Sequence, residues 1–114
     1  MYLALSIGTA GFVLAYPQSS FADDILRNKD FLQLPAGDRN VWLDGAMLMA
    51  GHMVHLHDSE KARCAWNWYF DNPAKAQATL LASMQTYPQS TPTGVIIAHL
   101  RKACGEPLIA GESE

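Results

Sequence analysis

The sequence predicts an all-α fold, a small bundle of four to five helices with one disulfide. Apolar residues recur at spacings of three and four in several segments, which is the period of an amphipathic helix. Polar residues followed by proline separate these segments, as at helix starts. No segment alternates strictly between apolar and polar residues, and no Asn-Gly hairpin signal occurs.

The N-terminal 22 residues predict a secretory signal. They carry no charged side chain, and residues 3–16 are almost wholly apolar. Pro17 then breaks any helix, and Ser20-Phe21-Ala22 places small residues where a signal peptidase cleaves, although no Lys or Arg follows Met1. The alternative is a membrane anchor, but an apolar run of about 14 residues is shorter than the roughly 20 that span a bilayer.

Removal of this segment would leave a periplasmic or secreted helical domain, residues 23–107, with a flexible tail, residues 108–114. The chain has a formal net charge of −3, and no charge lies in the signal. Such a surface offers phosphate groups no basic field, which argues against nucleic acid and anionic membranes as partners.

Cys64 and Cys104 are the only cysteines, and no C-x-x-C spacing is present. In a small exported chain two cysteines are most simply paired, so we predict a structural disulfide between them. Because it closes a loop of about 40 residues, the chain-entropy relation gives roughly 4 kcal/mol of stabilisation.

The first two predicted helices flank Pro35. Residues 23–34 form a short amphipathic segment, and Asp38 is a suitable N-cap for the longest helix, residues 41–56. Its predicted inward stripe comprises Trp42, Ala46, Met49, Met53 and Leu56.

Three shorter helices are predicted to follow. Asp58 or Ser59 caps a helix that continues through Cys64 to Phe70, and Asn72-Pro73 starts the next. Thr91-Pro92 starts the last helix, which ends at Cys104 before Gly105 and Pro107. The predicted inward residues of the last two helices are Ala76, Leu80, Met84 and Tyr87, and then Ile96 or Ile97, Leu100 and Cys104.

Three histidines near the end of the longest helix form a candidate metal site. His52 and His55 fall on neighbouring turns, and His57 or Asp58 offers a third ligand. The alternative is that these are polar positions near a helix C-terminus, where a cationic imidazole complements the helix dipole. We expect no cofactor elsewhere.

Two other features bear on function. Asp44 lies in an apolar helix and is a candidate acid–base residue, but we expect it to face solvent. After Cys64 come four aromatic residues in five positions, which cannot all face inward on one helix. Trp66, Trp68 and Tyr69 are therefore candidate anchors for a protein partner or for a homodimer, and the alternative is that all of them belong to the core.

The sequence contains no pattern typical of an enzyme. Both cysteines are assigned to the disulfide, there is no G-x-S-x-G, and no glycine-rich phosphate loop follows a strand. We therefore expect a non-enzymatic protein.

Residues 31–104 resemble the small periplasmic immunity proteins of type VI secretion systems, the Rap/Tai type. The matching segments are Trp42-Leu43-Asp44-Gly45, Cys64, residues 84–88 ending in Tyr87-Pro88, and residues 95–104 ending in Cys104. The resemblance implies an exported helical domain that binds and neutralises a secreted effector protein.

The chain also resembles the Hde-type periplasmic chaperones of acid stress. The similar segments are residues 30–34 at the start and residues 92–104 at the end, although Lys29 stands where those chaperones have a cysteine. This resemblance implies a protein that loosens in acid and then exposes apolar surface.

Overall fold

Five helices and no strand make up residues 26–109, the part of the chain that the computed structural model describes. The helices are α1 (Asn28–Phe31), α2 (Ala36–His55), α3 (Ser59–Phe70), α4 (Pro73–Thr86) and α5 (Pro92–Cys104). The predicted all-α bundle is thus confirmed, and so is the Cys64–Cys104 disulfide, with a Cα–Cα distance of 5.8 Å. The predicted signal segment, residues 1–22, lies outside the described residues.

The last three helices start where the sequence predicts. The Asp58 carboxylate accepts hydrogen bonds from two main-chain N–H groups of α3, both at 3.0 Å. The Asn72 side chain accepts one at 3.3 Å at the start of α4, and the Thr91 hydroxyl accepts one at 3.1 Å at the start of α5. Pro73 and Pro92 are the first residues of their helices, where the missing N–H costs nothing.

The region of α1 and the start of α2 departs from the prediction. The predicted N-cap Asp38 is wrong, because α2 already begins at Ala36 and Asp38 lies in its first turn. Within the described part of the segment, only Asn28–Phe31 is helical. The Arg39 guanidinium donates to the carbonyls of Leu32 and Leu34, at 3.2 and 2.8 Å, and so closes the turn between α1 and α2.

Hydrogen bonds attach α1 to the loop between α4 and α5. The main-chain N–H of the buried Asn28 donates to Ser90 at 2.8 Å, and its side-chain amide donates to the Tyr87 carbonyl at 2.8 Å. Arg27 donates to the Gln89 carbonyl at 3.1 Å. These bonds connect two segments that are distant in sequence.

The core lies around α3, which packs against α2, α4 and α5. The predicted inward residues of α4 are confirmed except for Tyr87, which is 60% exposed because α4 ends at Thr86. In α5, Ile96 rather than Ile97 is buried. The buried apolar side chains include Phe31, Leu43, Met47, Val54, Tyr69, Leu80, Met84, Ile96, Leu100 and Leu108.

The main difference from the prediction is which side of α2 is buried. The predicted inward stripe placed Met49, Met53 and Leu56 in the core, but all three are exposed. Leu43 and Met47 are buried instead, each one position after a residue of the predicted stripe. Because the polar and apolar residues of α2 are not segregated to opposite sides, periodicity does not determine which side faces α3.

The first residue of the expected flexible tail, Leu108, packs into the core, and its side chain is only 1% exposed. Gly105 has a φ of +93°, a conformation that glycine adopts without steric cost, and it turns the chain away from α5. The Lys61 ammonium then donates to the Pro107 carbonyl at 2.7 Å, which holds the chain beside the start of α3. Residues 110–114 lie outside the described range.

Candidate functional site

The longest helix presents an apolar surface that no other described element covers. We call it the α2 outer face and define it by five exposed side chains: Val41, Leu48, Met49, Met53 and Leu56. Val41 is 72% exposed, Met49 63% and Leu56 75%. Val41 and Leu48 are seven residues apart, and Met49, Met53 and Leu56 follow each other at spacings of four and three. Together these residues occupy one side of a helix about 30 Å long.

The α2 outer face carries no formal charge from Leu48 to Leu56. From Gly45 to His57 the sequence contains no Asp, Glu, Lys or Arg. The exposed His52 lies among these residues, four positions from both Leu48 and Leu56. Scattered exposed apolar residues are ordinary, whereas apolar residues clustered along one side of a helix typically mark an interaction surface. Two of its members are methionines, whose flexible side chains adapt to irregular partner surfaces.

A shallow apolar groove adjoins this face. Ala46, Met49 and Ala50 of α2 line one side, and Thr93, Ile96 and Ile97 of α5 line the other. Its volume is about 150 Å³. A side chain of a bound partner can insert here, so the apolar surface extends from α2 towards α5.

Trp66 packs against α2 rather than pointing into solvent. Its indole ring lies edge-on to His52, with ring centroids 5.2 Å apart, and stacks on His55 at 6.2 Å. Gly51 makes this possible, since a Cβ at that position would overlap the indole ring at Nε1. The Trp66 Nε1 group is buried without a hydrogen-bond partner among the described residues.

These contacts account for two of the three candidate metal ligands. His52 and His55 pack against Trp66, and His57 lies in the turn that follows α2. Residues 26–109 contain no group of three or more His, Cys, Asp or Glu side chains arranged to hold a metal ion. The three histidines therefore do not assemble the predicted site in this structure.

Tyr69 is buried and cannot be the exposed partner anchor that the sequence suggested. Its hydroxyl donates to the Asp44 carboxylate at 2.7 Å and accepts from the Gln77 amide at 2.9 Å. Asp44, expected to face solvent, is partly exposed, and its carboxylate accepts hydrogen bonds from Tyr69 and Gln77. Burial, opposed by the Gln77 hydrogen bond and reinforced by Asp44, raises the pKa of Tyr69 to about 12. This network ties α2, α3 and α4 together.

Trp68 is half-buried and lies on a different surface from Trp66. Its ring stacks on His99 of α5 at a centroid distance of 5.7 Å. The other edge of His99 is fixed by a hydrogen bond of 2.8 Å between its Nε2 and the Ser83 hydroxyl. Burial lowers the pKa of His99, and the neighbouring Lys102 lowers it further. Trp68 lines an open groove together with His99.

No protein-family model, curated protein or solved structure gives a significant match to this chain. In addition, no helix within residues 26–109 is long and apolar enough to cross a membrane.

The α2 outer face was not predicted, although the sequence carries a signal for it. Residues 45–57 form a run of thirteen without a charged side chain. A helix that buries only one side usually carries charged residues on the other side within such a length. An uncharged helical segment with large apolar residues on two sides has one apolar side left for a second packing partner, and this could have been read from the sequence.

Proposed function

We propose that this chain is an exported, non-enzymatic binding protein that neutralises a protein partner in the manner of the periplasmic immunity proteins it resembles. The observation that carries the proposal is the α2 outer face, defined above by Val41, Leu48, Met49, Met53 and Leu56. The partner that fits is a folded protein with an apolar cleft that accepts the exposed side of a helix, a common mode of recognition.

The size of this surface is consistent with such a role. Burying a large apolar side chain completely contributes about 1.5–3 kcal/mol, and these five are roughly half to three quarters exposed. Covering them would contribute about 7 kcal/mol on this side of the interface. Association costs about 4–15 kcal/mol in lost freedom, so the face can supply a large share of the binding energy.

The framework behind this face favours a rigid, preorganised surface. The Cys64–Cys104 disulfide joins α3 to the end of α5, and the Tyr69–Asp44 hydrogen bond joins α3 to α2. A surface that is already ordered loses little conformational entropy on binding. Steric occlusion of an effector requires no chemistry from the binding protein itself.

Affinity capture tests this proposal. The bait is the oxidised protein beginning at residue 23, incubated at neutral pH with envelope and secreted extracts of the source cells. Three forms are compared: wild type, Leu56→Asp, and the control Gln85→Asp, which adds the same charge at an exposed position of α4. We expect one stoichiometric partner with wild type and Gln85→Asp, and its loss with Leu56→Asp.

The alternative is an acid-stress chaperone, for which the same exposed apolar face would bind unfolded clients. The exposed His52 lies within this face, and the exposed His57 follows Leu56 at its end. A chaperone would capture many proteins, chiefly at acid pH, without a fixed stoichiometry. That result, or a partner retained by Leu56→Asp, would contradict the immunity-like proposal.

A further inference from the structure

A second concave surface lies on another side of the bundle, where the end of α3, the start of α4 and the end of α5 meet. Its volume of about 610 Å³ is within the range of roughly 300–1,000 Å³ typical of small-ligand sites. Trp68 and His99 line it together with Lys75, Lys102 and Asp71. We call it the α3–α5 groove.

The charges of the groove are unbalanced. Lys75 and Lys102 bring two positive charges and Asp71 one negative charge, in a chain whose formal net charge is −3. Within residues 26–109, neither lysine ammonium forms a salt bridge or hydrogen bond. A concave site with unpaired cations attracts anions, because field lines concentrate between its low-dielectric walls.

The groove also has a preorganised aromatic wall. The Trp68 ring is held against His99, and the hydrogen bond between His99 and Ser83 fixes the imidazole in turn. Because these two rings are already held in place, binding a ligand against them costs little side-chain conformational entropy.

We propose that the α3–α5 groove binds a carboxylate attached to an apolar or aromatic group, with Lys75 and Lys102 contacting the carboxylate and Trp68 contacting the apolar part. Charge-assisted hydrogen bonds from the two ammonium groups provide the recognition. The carboxylate can come from a free small molecule or from an acidic side chain within a protein. The site is separate from the α2 outer face and does not depend on the function proposed for it.

The test is an NMR titration of the oxidised protein with three probes. N-acetyl-phenylalanine carries a free carboxylate, and N-acetyl-phenylalaninamide is its uncharged analogue. The blocked peptide N-acetyl-Phe-Glu-Phe-amide carries its only carboxylate on a side chain. The signals followed are the Trp68 indole N–H and the His99 ring protons. We expect N-acetyl-phenylalanine to bind at least about tenfold more tightly than the amide, a difference of about 1.4 kcal/mol.

Two double variants identify the site. Lys75→Gln with Lys102→Gln should weaken carboxylate binding at least tenfold, whereas Lys29→Gln with Arg63→Gln removes the same charge elsewhere and should change it less than twofold. Carboxylate binding should also move the His99 titration to higher pH, since a nearby anion favours the imidazolium.

Each outcome has a defined meaning. Binding of N-acetyl-phenylalanine alone supports a site for a free carboxylate, and binding of the peptide as well supports an acidic protein segment as the source. The proposal is overturned if acid and amide bind equally, if neither carboxylate probe binds, or if the groove variant binds as wild type does. Since no α2 residue is altered, none of these outcomes bears on the α2 outer face.

Discussion

Replacing Gly51 by alanine should destabilise the protein, although the same change in an exposed helix is stabilising. Alanine is favoured over glycine in a helix interior by about 1 kcal/mol. At Gly51, however, the new methyl group would overlap the Trp66 indole ring, so the ring must leave its position against His52 and His55. Overpacking of this kind costs about 1–3 kcal/mol, and loss of the buried indole contacts adds to it. We expect a net destabilisation of about 2 kcal/mol.

The control for this prediction is Gly45→Ala in the same helix. A Cβ at Gly45 would meet nothing within 4 Å, so we expect it to raise the free energy of unfolding by about 0.5–1 kcal/mol. Urea unfolding followed by far-UV circular dichroism measures both variants without relying on Trp66 fluorescence. In a Trp66→Ala background, Gly51→Ala should become neutral or stabilising. Stabilisation of the wild-type background by Gly51→Ala would refute this account of the Trp66 packing.

Three further predictions concern the titrating network, the groove and the disulfide. The Tyr69 pKa of about 12 in the folded protein exceeds the value of 10 in the unfolded chain. The stabilisation that Tyr69 contributes to folding is therefore complete below pH 10 and is lost as the pH rises towards 12. Unfolding free energies across this window should therefore fall by up to about 3 kcal/mol more in wild type than in Tyr69→Phe. The pKa of His99 is lowered on folding, so its pH dependence runs the other way. The stabilisation from His99 is present above the unfolded pKa of 6.5 and is lost as the pH falls. His99→Gln should flatten the stability profile below pH 6.5, and an unchanged slope would contradict this. Replacing Cys64 and Cys104 by serine should cost about 4 kcal/mol in urea unfolding, since the disulfide closes a loop of 40 residues.

Features fixed by a few neighbouring residues could be predicted from the sequence. Asp58, Asn72 and Thr91 each start a helix by accepting local main-chain hydrogen bonds, and Pro73 and Pro92 occupy the first positions of the last two helices. The disulfide followed from the number of cysteines and the expected export, without any knowledge of the packing.

Features that depend on contacts between helices could not be predicted. The orientation of α2 depends on its fit to α3, because its polar residues do not mark one side. Trp66 packs against α2 because Gly51 has no side chain. The two residues are 15 positions apart, and nothing in a single sequence indicates that they are in contact. Similarly, the burial of Leu108 requires the turn at Gly105 and the Lys61 hydrogen bond.

Methionine oxidation tests most directly the claim that the partner binds the α2 outer face. Met49 and Met53 are exposed, whereas Met47 and Met84 are fully buried and serve as internal controls. Dilute peroxide, followed by mass spectrometry, should oxidise Met49 and Met53 first in the free protein. In a complex saturated with the captured partner, we expect the oxidation of both to slow at least tenfold while the controls remain unchanged. Oxidation of Met49 and Met53 at the free rate in the saturated complex would contradict the account.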